Sequence, residues 1–118
     1  MTKLYRFATI VAVLLLLYPA SSCRAGTNEE IAALLQFVKK SQCIFIRNGR
    51  SYDAAEARRH IAQKYAYFRE RIRSAEDFIR YSASQSTITG KPYRVNCNGE
   101  EMNSADWLLA ELARLRMD

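Results

Sequence analysis

This chain is short of the residues that most enzyme chemistry needs. Its 118 residues include one histidine, three cysteines and one tryptophan, with only four glycines and two prolines. A single histidine, His60, and cysteines far apart in sequence leave no ligand cluster at metal-site spacings. Without a Cys-x-x-Cys, nothing lowers a thiol pKa in the way a redox-active pair requires. The scarcity of glycine also removes a phosphate cradle. Thr89-Gly90-Lys91 has Gln85 where a P-loop has its first glycine, and Pro92 where it has Ser or Thr. No cofactor and no metal are therefore expected. Long apolar runs are scarce as well. Beyond the first twenty residues no stretch approaches the roughly 20 apolar residues that span a bilayer.

What is present begins with a leader. Lys3 and Arg6 precede the uncharged apolar run Phe7–Tyr18, Pro19 ends that run, and small residues follow at Ala20, Ser21, Ser22 and Ala25. This is the layout of a bacterial export signal. Two processing routes fit. Cleavage after Ala25 removes residues 1–25. Alternatively, residues 1–22 form a lipoprotein signal and Cys23 becomes the lipidated first residue. The first route is preferred, because Leu is the usual residue where Ala20 stands. The remainder, 26–118, is long enough for one small globular domain and no more.

Export changes the meaning of the charge and of the cysteines. The net charge is +6. The leader holds Lys3, Arg6 and Arg24 and no acid, so fifteen basic residues face twelve acidic ones in the rest, a balance of +3. Acids are interspersed with the basic residues, which speaks against nucleic acid as a partner. A mild attraction for anionic glycans or lipid headgroups is left. Once Cys23 is removed or lipidated, Cys43 and Cys97 are left to pair in an oxidising compartment.

Periodicity then divides 26–118. Thr27 and Glu30 read as a capping box for a helix from Asn28 to about Lys40, with Ile31, Leu34, Leu35 and Val38 on one face. Cys43–Arg47 reads as a strand, Asn48-Gly49 as a tight turn, Arg50–Tyr52 as the return, and Asp53 as the next N-cap. A long helix follows, with Ala57, Ile61, Tyr65, Phe68 and Ile72 on its stripe and a break or kink near Arg73. With no Gly or Pro in 54–86, one bent helix also fits. Ser86–Lys91 is a loop and Tyr93–Cys97 a strand after Pro92. Asn98-Gly99 is a second turn, Glu100–Asn103 its return, and Ser104 the cap of a last helix through Trp107, Leu108, Leu112 and Leu115. The fold expected is α+β: a small antiparallel sheet of two short hairpins packed against three to four helices.

Candidate chemistry is sparse. His60 lies on a helix beside Glu56 and Lys64, a rim position. Glu56, Glu76, Asp77, Glu100 and Glu101 sit on capping turns or a hairpin, and no spacing sets two of them across a cleft. No catalytic residue is assigned. Tyr67 and Tyr81 fall off the apolar stripe and, if exposed, can stack on a partner. If the two hairpins pair, Arg47, Asn48, Lys91 and Tyr93 converge, and these four form the candidate binding patch.

Phe45-Ile46-Arg47-Asn48-Gly49, Ala75-Glu76-Asp77-Phe78-Ile79, Thr89-Gly90-Lys91-Pro92-Tyr93 and Ser104-Ala105-Asp106-Trp107-Leu108, in this order, resemble a DUF5329-like family of small exported bacterial proteins of unknown function. The resemblance implies export and a single domain, and no activity, cofactor or ligand. The expectation is an exported protein, periplasmic or secreted or else lipid-anchored at the envelope, serving as a non-catalytic binding module. Its partner would be another envelope protein or an anionic cell-wall or lipid surface. The alternative is a small cell-wall-directed hydrolase, which would need a concave site joining His60 or two carboxylates to a nucleophile.

Overall fold

Two Asn-Gly turns organise the sheet. Asn48 and Asn98 have φ of 51° and 56°, and Gly49 and Gly99 follow at 78° and 87°. Paired left-handed residues give the turn whose twist matches that of the flanking strands. The first turn joins β1 (Ile44–Arg47) to β2 (Arg50–Tyr52), and the second joins β3 (Arg94–Cys97) to β4 (Glu100–Asn103). The structure is a computed structural model and describes residues 26–118; the expected leader, both expected processing sites and Cys23 lie outside the described residues.

The hairpins pair through β1 and β3 into a four-stranded antiparallel sheet of order β2-β1-β3-β4. Phe45 stands opposite Val95, and both are buried. Ile44, one residue over, points the other way and is 45% exposed, as the two-residue period of a half-covered sheet demands. Cys43 and Cys97 form a disulfide across this central pair, with Cα atoms 4.7 Å apart.

Four helices cover the Phe45 face: α1 (Thr27–Lys40), α2 (Ala54–Tyr67), α3 (Ala75–Ser82) and α4 (Ser104–Met117). They bring Ile31, Leu34 and Val38, then Ala57 and Ile61, then Phe78 and Ile79, then Leu108 and Leu112 into one core with Phe45 and Val95. Trp107 seals its edge, stacked on Phe37 at 4.5 Å and edge-on to Phe45 at 5.5 Å.

Three local expectations are corrected. The α1 cap is Gly26, not Thr27, and Glu29 rather than Glu30 reaches back to its backbone N–H at 3.3 Å. Glu30 is drawn instead to Arg116 on α4, at 2.8 Å. The expected break near Arg73 is present, but the α-helix already ends at Tyr67, and the alternative of one bent helix is excluded. A 3-10 turn at Arg69–Arg71 and an extended Ile72 separate α2 from α3. The cause lies in the sequence just after. Ser74 Oγ accepts the Asp77 N–H at 3.0 Å and Asp77 Oδ2 accepts the Arg73 N–H at 3.0 Å, so a new helix start competes with continuation. The cap of α4 is Asn103, and Ser104 is its buried first residue.

Candidate functional site

Asn48 sits at the tip of the first hairpin, and its side chain reaches across to the loop 84–92. Its Nδ2 donates to Ser86 Oγ at 3.2 Å, and its Oδ1 accepts from Thr89 Oγ1 at 2.6 Å. Ser86 Oγ also accepts the Ile88 and Thr89 N–H groups, both at 3.3 Å. The Ser86 N–H bonds the Lys91 carbonyl at 2.9 Å. The loop is thus closed on itself and pinned to the hairpin. Asn48 therefore positions the patch rather than presenting a free amide, and Lys91 lies exposed on the pinned loop.

Arg47 and Tyr93 do come together, lining one small cavity with Tyr52, His60 and Ser104. Arg47 donates to Tyr52 Oη at 3.4 Å, its guanidinium 5.2 Å from the Tyr52 ring centre. Tyr93 is buried, and Lys64 on α2 covers it. Lys64 Nζ donates to Tyr93 Oη at 3.1 Å and to the Gln85 carbonyl at 2.7 Å. The cavity holds about 30 Å³, room for roughly one water, far below the size of a ligand pocket.

His60 meets the edge of the Tyr52 ring at 5.1 Å. Burial, then the charges of Arg47 and Arg59, lower its pKa, and Glu56 opposes them weakly. No hydrogen bond joins His60 to a carboxylate or hydroxyl among the described residues, so the base-nucleophile geometry of a hydrolytic site is not assembled around it. Carboxylates converge in two places, each on a shared arginine: Glu111 and Asp118 both bond Arg114, and Glu30 and Glu76 both bond Arg116, which holds the pKa values of that second pair below the usual carboxylate range. They are locked to a cation on the outside of the helices, not set across a cleft. No group of three or more metal-ligating side chains is present among the described residues.

The charges segregate along the chain. Between Arg47 and Arg73 the chain carries eight basic residues and three acidic ones. None of the eight makes an ion pair among the described residues. The cations that do, Arg80, Arg94, Arg114 and Arg116, all lie later in the chain, where acids are in excess. The segment from the hairpin tip through α2 to the 3-10 turn thus carries an excess of basic over acidic residues, with no ion pair among the described residues. At its far end lies an open cleft of about 770 Å³, lined by Tyr67, Phe68, Arg69, Glu70, Arg71 and Thr87. Tyr67 packs edge-on to Phe68 at 4.8 Å, and Phe68 stacks on Tyr81 at 5.6 Å. Tyr67 remains 80% exposed, and Ile88, next to Thr87, is 94% exposed. Lys64 and Ile88 escape a reading by sequence alone. Lys64 looks like one more solvated helix cation. The available signal for Ile88 was a lone apolar residue within a polar loop.

The comparisons agree with the reading of the motifs. A relative 40% identical over 85 residues, a stretch covering 71% of each chain, is the uncharacterized protein YfeK of Salmonella typhimurium. No solved structure matches. A family of unknown function, DUF5329, matches residues 25–116, and the chain belongs to that family.

Proposed function

We propose that this is an exported envelope protein, cleaved after Ala25 or lipidated at Cys23, whose 26–118 domain is a non-catalytic binding module for an anionic surface of the envelope. The single observation that carries the reading is the run of eight cations from Arg47 to Arg73 with no ion-pair partner. Exposed like charges that are not neutralised internally raise the local concentration of an anionic partner and cost self-repulsion in its absence. The disulfide supports export, since such bridges persist in oxidising compartments. No described helix is long and apolar enough to cross a membrane. The contact surface on this reading is Arg47 and Lys91 at the pinned hairpin-loop junction, held in place by Asn48 and Tyr93, and continues along α2.

The test is co-sedimentation of the protein, recovered from the periplasm of a bacterial host expressing the full chain, with purified cell-wall material and with anionic lipid vesicles. Binding to at least one that weakens steeply between 50 and 300 mM salt, and weakens further in Arg47→Glu/Lys91→Glu, is expected. Absence from both the periplasm and the envelope membrane fraction, or binding to neither material, overturns the reading.

A further inference from the structure

The basic segment ends beside exposed apolar side chains, and the two together specify which anionic surface fits. Ile88 is 94% exposed and Tyr67 80% exposed. Both belong to one locality, because Thr87, the residue before Ile88, lines the cleft with Tyr67. The loop that presents Ile88 is tied down. Ser86 Oγ accepts two of its N–H groups, Gly90 N–H bonds the Ser86 carbonyl at 2.9 Å, and Asn48 holds both Ser86 and Thr89. A fixed loop that displays an isoleucine to water gives up favourable burial without gaining flexibility. Arg69 and Arg71 line the same cleft, and their side chains have no hydrogen-bond partner among the described residues. Arg69 lies over the Tyr65 ring at 5.6 Å. Lys91 stands three residues beyond Ile88.

An aliphatic tip, an exposed tyrosine and a surrounding set of cations are the parts of an interfacial lipid contact. The aliphatic group enters the acyl boundary, tyrosine sits at headgroup level with its ring inward and hydroxyl outward, and each cation draws anionic headgroups. An acidic polysaccharide would use Tyr67 and the arginines but would leave Ile88 exposed. We propose that the Ile88 loop and Tyr67 form a docking tip by which this protein binds the surface of an anionic lipid bilayer, with Arg69, Arg71 and Lys91 holding the headgroups. This deepens the reading above and rests on it.

The experiment is sedimentation of the periplasmic protein with vesicles of phosphatidylglycerol and phosphatidylethanolamine, with vesicles of phosphatidylcholine, and with sodium polygalacturonate as a soluble acidic polysaccharide probed by gel retardation. Strong partitioning to the anionic vesicles over the neutral ones is expected. Ile88→Asp and Tyr67→Ala should each lower it about tenfold, and Arg71→Glu about fivefold or more. All three positions are exposed, and an unchanged melting temperature verifies folding. Anionic-vesicle binding unaffected by Ile88→Asp and Tyr67→Ala overturns the docking tip while leaving the anionic-surface reading standing. Retardation by polygalacturonate or sedimentation with cell wall, without vesicle binding, does the same. Binding to none of these materials overturns both.

Discussion

Asn48 and Thr89, forty-one residues apart, are joined by a 2.6 Å hydrogen bond from Thr89 Oγ1 to Asn48 Oδ1. The bond couples the tip of one hairpin to the loop that leads into the other. Asn48 is also in the left-handed region, at φ 51°, where asparagine is tolerated and most residues are strained. One side chain thus shapes its own turn and anchors a loop far away in sequence.

Replacing Asn48 with Ala should therefore cost more than an exposed turn position suggests, about 1–3 kcal/mol, through two lost hydrogen bonds and a strained turn. Hydrogen exchange should accelerate at the Ile88, Thr89 and Gly90 amides before the core amides change. Unaltered exchange in the loop would show that Asn48 does not hold it.

The bridge between Cys43 and Cys97 spans a sequence separation of 54, so it restricts the unfolded chain substantially. Cys43→Ala/Cys97→Ala should lose about 2–4 kcal/mol, a fall of about 10 °C or more in Tm for a domain of this size. Trp107 is the one tryptophan, and its packing on Phe37 and Phe45 makes its fluorescence the natural readout. A melting temperature equal to that of the oxidised protein would remove the bridge from the account of stability.

Arg116 bonds Glu30 and Glu76 together, tying the end of α4 to α1 and α3. Both carboxylates have pKa values lowered chiefly by that hydrogen bonding. The unfolded chain then takes up protons first as pH falls. The stabilisation is present above the ordinary value of 4.5 and disappears below it as the folded groups titrate. Arg116→Met should lower Tm at pH 7 by at most about 5 °C, since much of the network is exposed. The gap between variant and parent should narrow as pH falls below 4.5. A gap that stays constant from pH 7 to pH 3 would contradict the ion-pair account.

Ser82 is fully buried, and its Oγ has no hydrogen-bond partner. An unpaired buried hydroxyl costs free energy, and alanine is the better helix former. Ser82→Ala should raise stability by about 1 kcal/mol in chemical denaturation, with an unchanged m-value. A loss of stability would mean that the hydroxyl is satisfied in solution.

Local chemistry made most of the fold legible. Asn-Gly at 48–49 and 98–99 announced both hairpins, because only residues that accept positive φ make that turn. Asp53 marked a helix start, as the observed cap shows. Periodicity placed Ile31, Leu34, Ile61 and Leu108 inward, and all four are buried. Less of the candidate site was legible. The convergence of Arg47 with Tyr93 follows from pairing β1 with β3, but the covering of Tyr93 by Lys64 does not. Nor does the use of Asn48 as a tether rather than a contact, since both depend on how α2 and the loop pack.

The sequence by itself determined the elements, the two hairpins and the availability of two cysteines for one bridge. Each follows from backbone preferences and side-chain period, which act over a few residues. Tertiary structure alone decided the partners of Arg116, whereas Arg80 with Asp77 and Arg114 with Glu111 and Asp118 are pairs three or four residues apart on one helix. Glu30 and Arg116 stand eighty-six residues apart, so no local rule links them. Folding brings Arg116 to Glu30 and Glu76 and leaves the cations from Arg47 to Arg73 without an ion pair among the described residues, because charge interaction depends on distance in space and falls off within about 10 Å in salt.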